Sequence, residues 1–280
     1  MHEIQNWITN LYTMQYFKGK TVWLTGASSG IGEAMAVALA EAGANLILSA
    51  RRIDKLRAVA ELCRQANGNV KVWVRQLDLA DYGSFVELVP KILAQSGGVD
   101  VLINNAGLSQ RSLAKDTDLE VDKKLIEVNL LGTIALSKAV LPHFLERKGG
   151  HFVVVTSLMG KFGGPWRSSY AAAKHGLHGF FESLRAEVWR DNIYVTLLCP
   201  GFVKTDISLN ALTADGSPQR KMDERTAAGL TPQQFAKKAL KAIAKRKEEA
   251  CIGKTEVMAV YLKRFLPGMF SKVIRKAKVK

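Results

Sequence analysis

The sequence predicts an α/β fold in a single domain, a doubly wound parallel sheet of about seven strands with helices on both faces. Short β-branched or aliphatic runs bounded by Gly, Asn or Asp alternate along the chain with longer segments whose apolar residues recur at helical spacing. Most of these runs are too apolar to leave a face in water, as expected of strands covered on both sides. The 280 residues, 48% hydrophobic and 23% charged, suit one large core. That composition argues against a disordered or fibrous chain, and no repeat at solenoid periods is visible.

Residues 1–18 form an N-terminal segment in which Ile4, Trp7, Ile8, Leu11 and Met14 recur at spacings of three and four, predicting a short amphipathic helix packed on the body. The main domain is read over 19–256. A first strand, 21–25, runs into Thr25-Gly26-Ala27-Ser28-Ser29-Gly30-Ile31-Gly32 and an alanine-rich helix, 31–42. Glycines at a strand-to-helix turn suit a phosphate site. Gly26 allows the tight turn, Gly30 lets a pyrophosphate approach the backbone and Gly32 lets helix and strand pack closely, while the helix N-terminus offers free N–H groups.

A second strand, 45–49, ends in Arg51-Arg52, where a chain selecting NAD presents Asp or Glu to the adenosine ribose. Two guanidinium groups there suit a 2′-phosphate. The plain reading is a solvated charge pair opening the next helix, 55–66, with Asp54 as its N-cap. Strand 71–76, helix 84–94, strand 99–104, helix 122–147, strand 151–156, helix 170–190 and strand 194–198 follow. Helix 232–245 opens with a capping box, Thr231-Pro232-Gln233-Gln234, and a weaker strand lies around Cys251. In such a sheet, ligands sit at the carboxyl ends of the strands.

Two Tyr-x-x-x-Lys pairs occur. Tyr16 and Lys20 precede the first strand, whereas Tyr170 and Lys174 begin a long helix and share a face. Only the second pair has a hydroxyl at a preceding strand end, Ser157, and an Asn in the preceding long helix, Asn129. The first pair is read as a decoy.

With Thr25 to Gly32, Asp78, Asn104-Asn105-Ala106-Gly107, Asn129, Ser157, Tyr170 thirteen residues later, Lys174 and Pro200-Gly201-Phe202-Val203-Lys204-Thr205 in this order, the chain resembles the short-chain dehydrogenase/reductase family, a single-domain Rossmann-fold group. Singly, Asp78 reads as well as a turn cap, Asn104-Asn105 as a strand end and Pro200-Gly201 as a breaker. The resemblance implies a cofactor site at Gly26, Ser28, Ser29, Gly30, Ile31, Gly32, Arg51 and Arg52, with Asp78 and the Leu79 backbone at the adenine. It places Asn105, Ala106 and Gly107 along the cofactor cleft, and Pro200, Gly201, Val203 and Thr205 by the nicotinamide, whose carboxamide Val203 and Thr205 hold. Arg51 and Arg52 make NADP(H) the expected cofactor, and a small carbonyl or alcohol substrate and a homodimer or homotetramer are expected with it.

Carbonyl reduction requires a hydride donor, a proton donor and a group that polarises the oxygen. Tyr170 is the candidate general acid/base. A free phenol titrates near ~10, so proton transfer at neutral pH needs a cation beside it, which Lys174 supplies one turn away. Ser157 would hydrogen-bond the substrate oxygen. By the resemblance, Lys174 also holds the nicotinamide ribose and Asn129 orients a water that relays protons. No residue in the set calls for a metal. Leu108 to Gln110, Met159, Phe162, Trp166 and residues 206–230 are expected to line the substrate pocket, whose apolar members fit a hydrophobic carbonyl compound or ordinary packing.

The formal net charge of +15 is clustered. Residues 237–280 hold 14 Lys or Arg against three Glu, a balance of +11, leaving +4 for the rest. Within the tail, 257–280, apolar clusters alternate with basic residues. Such a tail either lies on an anionic membrane surface or is a solvated end whose apolar residues close the cleft or a subunit contact. It lacks the aromatic platform or groove-reading motif of a specific nucleic-acid binder. Cys63, Cys199 and Cys251 lie far apart in sequence and suggest neither disulfides nor zinc, so a reducing compartment is expected. Neither a secretory leader nor an apolar run of ~18 residues is recognised, and a cytoplasmic protein, peripheral at a membrane if the tail binds one, is expected. Two function classes remain: an enzyme using the Asn129, Ser157, Tyr170 and Lys174 set, in one version a lipid carbonyl reductase held at a membrane surface by the basic tail, or an NADP(H)-binding sensor or scaffold acting through that tail.

Overall fold

In the computed structural model, residues 11–277 are described. Chain order runs β1 (Thr21–Thr25), α1 (Gly30–Glu41), β2 (Asn45–Ala50), α2 (Ile53–Ala66), β3 (Val72–Gln76), α3 (Phe85–Ser96) and β4 (Val101–Asn104). Next come α4 (Leu119–Ile126), α5 (Gly132–Glu146), β5 (Gly150–Val155), α6 (Ser168–Val188) and β6 (Ile193–Pro200). The last elements are α7 (Glu224–Ala227), α8 (Pro232–Ala244), β7 (Glu249–Ile252), α9 (Met258–Phe265) and α10 (Pro267–Ile274). The strands form one parallel sheet in the order β3-β2-β1-β4-β5-β6-β7. This is the expected doubly wound sheet, and its order reverses between β1 and β4, where a crevice opens at the carboxyl ends.

The two-residue period of each strand divides its side chains between two cores. Val22 and Leu24 of β1, Leu46 and Leu48 of β2 and Val153 of β5 pack with α1, α2 and α8. Trp23, Ile47, Phe152 and Val154 face the opposite way, onto α3, α5 and α6. Both faces are therefore dry, which is why the strands read as continuous apolar runs. The capping box on α8 forms as expected, with Gln234 N donating to Thr231 Oγ1 at 3.1 Å and Thr231 N to Gln234 Oε1 at 3.0 Å. By contrast, α2 begins at Ile53 with Arg52 in the N-cap position, so Asp54 lies in the first turn and is not the cap.

Of the amphipathic N-terminal segment, Ile4, Trp7 and Ile8 lie outside the described residues. Residues 11–17 are helical. Leu11 and Met14 are exposed, and contact with the body falls to Tyr16 and the buried Phe17. Tyr16 Oη pairs with His151 Nδ1 at 2.8 Å, near the amino end of β5 and far along the strands from the crevice. Burial holds the Tyr16 phenol up at about 12 and the His151 imidazole down at about 3. This tyrosine is part of the packing.

Between α4 and α5 the helix does not break but widens into a π-helical turn over Glu127–Leu131. The whole stretch, Leu119–Glu146, is long and apolar enough to cross a membrane by length and composition alone. Its inner face is packed on the sheet through Leu136, Val140 and Phe144.

Candidate active site

A cleft of about 470 Å³ opens at the carboxyl ends of the strands. The phosphate turn, Arg51, Arg52, Asp78, Leu79, Asn105 to Gly107, Tyr170, Lys174, Pro200 and Thr205 all line it. At the turn, Gly26 has φ +65° and a Cβ there would stand 2.7 Å from Ala106 Cα, while a Cβ on Gly32 would stand 2.1 Å from Gly26 O. Neither position admits a side chain. The Asn105 amide fastens the end of β4 to this turn, donating to Thr25 O at 3.0 Å and to Gly26 O at 3.3 Å.

Arg52 folds back over the turn, its Nη2 donating to Ser28 Oγ at 3.1 Å and Ser29 Oγ at 2.9 Å. Arg51 is exposed, and its carbonyl accepts from Gln76 Nε2 at 2.9 Å. A guanidinium group thus stands beside the glycine turn, and Arg51 and Arg52 occupy the two positions directly after β2. Asp78 Oδ1 accepts from Ala80 N at 3.0 Å, shaping the loop that forms the cleft wall.

Tyr170 lies in the first turn of α6, with Lys174 one turn on and His178 one turn further on the same face. All three are buried. Lys174 Nζ donates to Val155 O at 2.9 Å and lies 5.8 Å from the Tyr170 ring centroid. The ammonium has three donors, so that bond leaves others free to face the cleft. Burial lowers its pKa from 10.5 to about 8. The folded protein then releases this proton at lower pH than the unfolded chain. The penalty for burying the charge, about 3 kcal/mol, is full below pH 8 and fades as the pH rises towards 10.5. Urea unfolding of Lys174→Met beside the unaltered protein should show their stability difference shifting by about this amount between pH 7 and 10.5, in favour of the lysine. A difference independent of pH would mean that Lys174 titrates as in water.

Asn129 is fully buried in the π turn, and its carboxamide grips one residue: Oδ1 accepts from Leu108 N at 2.7 Å and Nδ2 donates to Leu108 O at 3.0 Å. A Cβ on Gly107 would stand 2.8 Å from Asn129 Oδ1 and 3.7 Å from Lys174 Nζ, so the two side chains flank a glycine. Ser157 follows β5, and its Oγ accepts from Met159 N at 3.1 Å. Gly201 and Val203 stand beside the cleft, not on its wall. A Cβ on Gly201 would meet Glu256 Oε1 at 2.1 Å, and Val203 bridges to Leu230.

The substrate end follows expectation in part. Leu108, Ser109, Asp206, Ile207, Asn210 and Leu212 line it. Met159 and Phe162 turn away into a small core with Phe270, and Trp166 lines a separate hollow of about 270 Å³ beside Arg111 and Asp223. Gln110 is fully buried, and its Oε1 accepts from Ser169 N at 3.0 Å and Tyr170 N at 3.2 Å, anchoring the start of α6. Sequence reasoning missed this anchor and also a buried ion pair. Arg111 Nε donates to Asp223 Oδ2 at 3.0 Å and Oδ1 at 3.2 Å, Arg111 Nη2 donates to Oδ2 as well, and Arg167 Nη2 lies 3.7 Å from the same oxygen. Burial pushes the Asp223 carboxyl up, but hydrogen bonds and charge from Arg111 hold it below its ordinary range.

The cysteines also differ from their linear spacing, since Cys199 of β6 stands in register with Cys251 of β7. One donor atom each from His178, Cys199 and Glu249 falls within 4.8 Å of the others. Protein partners already engage them: Thr156 Oγ1 sits 3.2 Å from His178 Nε2, and Lys161 Nζ donates to Glu249 Oε2 at 2.8 Å.

The family model for short chain dehydrogenases matches residues 20–215. The mouse protein named dehydrogenase/reductase SDR family member 7B is 40% identical over 265 residues, covering 92% of this chain and 81% of its own. An alcohol dehydrogenase from Thermococcus sibiricus, solved with 5-hydroxy-NADP, superposes with a TM-score of 0.71 at 29% identity, covering 85% of this chain and 97% of that one. A metagenomic short-chain oxidoreductase solved with NADP gives a TM-score of 0.69 at 27% identity over the same shares.

Proposed function

The chain belongs to the short-chain dehydrogenase family, and from that premise we propose that it is an NADP(H)-dependent oxidoreductase interconverting a carbonyl compound and a secondary alcohol, working as a reductase. The observation that carries this reading is the meeting in one cleft of a phosphate turn, a guanidinium group folded over it and a buried lysine one turn from Tyr170. The residues fit the cofactor: the Cβ-intolerant turn leaves its backbone open, and Arg52 with Arg51 supplies positive charge where a 2′-phosphate would lie. The two solved relatives with NADP-type ligands favour the same choice.

When bound, NADPH supplies the hydride. Tyr170 delivers the proton to the carbonyl oxygen, and Ser157 donates a hydrogen bond to that oxygen as charge builds. Lys174 holds positive charge beside the phenol and offers its remaining N–H groups to the ribose hydroxyls. Asn129, by clamping Leu108, keeps the Gly107 backbone close to Lys174. The apolar surface left on the helix at 119–146, with Leu119 and Leu131 exposed, supports a homo-oligomer packed through that helix.

A panel of carbonyl compounds followed by NADPH oxidation tests the activity. Tight NADPH binding with no oxidation across the panel would leave a sensor or scaffold. Replacing both Arg51 and Arg52 by Ala should weaken NADPH binding by about 2–3 kcal/mol and leave NADH binding nearly unchanged. Equal losses for the two cofactors, read by fluorescence titration, would show that neither arginine reads the phosphate.

A further inference from the structure

The last two helices each carry two apolar stripes where a surface helix needs one. Inward, Leu262, Phe270 and Ile274 pack with Leu158, Met159 and Phe162, and the Phe162 and Phe270 rings meet at 5.1 Å between centroids. Outward, Met258, Tyr261 and Phe265 recur at spacings of three and four along α9 and its start, and Leu266, Met269 and Val273 do the same along α10. These six side chains are 49–74% exposed. Around them stand Lys263, Arg264, Lys272, Arg275 and Lys276, all exposed, and no Asp or Glu occurs after Glu256.

We propose that this outward face of the C-terminal helix pair docks on an anionic lipid bilayer. Aromatic and aliphatic side chains on one face with a basic rim are what an interfacial helix needs: burial of the apolar stripe, and attraction of the rim to acidic headgroups. A second copy of the chain fits less well. A two-fold contact would set the same acid-free basic rim against itself, whereas acidic headgroups would neutralise it. The apolar side chains expected either to close the cleft or to face a membrane divide by stripe, the inner ones buried beneath and the outer ones left in water.

The helix pair also sits on the segment that follows Ser157 and begins just after β7 ends, at the carboxyl edge of the sheet where the cleft opens. A docked molecule would thus hold its cleft near the lipid. The docking does not depend on the oxidoreductase reading.

The full chain is mixed with vesicles of phosphatidylcholine alone or with phosphatidylserine, and pelleted. Binding to the phosphatidylserine vesicles at low salt is expected, at least ~10-fold stronger than to phosphatidylcholine, with release at high salt. Lys272→Glu, Arg275→Glu and Lys276→Glu together should weaken binding by at least ~10², since each basic residue near such a surface is worth about 1 kcal/mol. Tyr261→Ser with Phe265→Ser should weaken it at least ~10-fold. Because all five side chains are exposed, thermal unfolding should be close to that of the unaltered chain, which separates lost docking from lost fold. The proposal is wrong if the unaltered chain does not pellet with phosphatidylserine vesicles at low salt. It is equally wrong if the serine variant binds vesicles undiminished and instead sediments as a smaller oligomer, for then the face is a contact between copies.

Discussion

Tyr170→Phe should lower turnover with any accepted carbonyl compound by at least ~10² and leave NADPH affinity within a few-fold. The substitution removes one oxygen and keeps the ring that packs at the start of α6. On the proposed mechanism, what is lost at the reacting centre is the proton donor. Lys174 is a poor replacement, because its ammonium is bonded to Val155 O and lies 5.8 Å from the centre of the ring that carried the hydroxyl. Tyr16→Phe is the matched control, since it removes a hydroxyl bonded to His151 and should change stability without touching turnover. Near-normal turnover in Tyr170→Phe would remove that residue from the mechanism.

Asp223→Ala should destabilise the fold by about 3–5 kcal/mol, read by urea unfolding at neutral pH. The reason is not the loss of an attractive pair as such. Among the described residues, Asp223 is the one carboxylate paired with both Arg111 and Arg167, which are largely buried, and it also accepts from Gln219 Nε2 at 3.1 Å and Thr226 Oγ1 at 3.2 Å. Its removal leaves two guanidinium groups facing each other away from water. Burial already draws the Arg167 pKa down to about 10, with the Arg111 charge adding to it. Glu87→Ala, which breaks an exposed pair with Lys91, should be nearly neutral. A loss for Asp223→Ala no larger than that control would mean that water reaches the network. The same substitution should raise KM more than it lowers kcat, because Asp223 and Arg111 join residues 206–230 to the segment after β4 and so hold the substrate side of the cleft.

Local signals carried most of the architecture. Strand β1 was readable to the residue because its apolar run stops at the glycine turn, and α8 because Thr231, Pro232 and Gln234 spell out its start. The strand ends drifted where the signal was composition alone: β6 extends through Cys199 and Pro200, since pairing with β7 continues past the last aliphatic residue. The glycine turn, Tyr170 and Lys174 were legible as cleft residues for the same reason, their spacing being set within one strand-turn-helix unit, whereas Ser157 and Asn129 are not on the cleft wall. What was not legible depends on contacts between distant parts of the chain. Arg111 and Asp223 are 112 positions apart, and nothing near either announces the other. Met159 and Phe162 were assigned to the pocket because they follow Ser157, but the last two helices fold over them, more than 90 positions later in the chain.

The π turn at Glu127–Leu131 sets a rule about chain length that no substitution would reveal. A π turn holds one residue more than the α-helical turn it replaces, and each helical residue advances the side chains by roughly 100°. Deleting one residue from this turn would let the helix relax to a regular α form, and the deletion would look harmless by hydropathy and helix propensity. It would also swing one flank against the other by that angle. Either Leu136, Val140 and Phe144 would leave the sheet, or Asn129 would lose the Leu108 backbone. In this stretch, homologous chains that keep the site should therefore vary freely in exposed side chains and not at all in residue count.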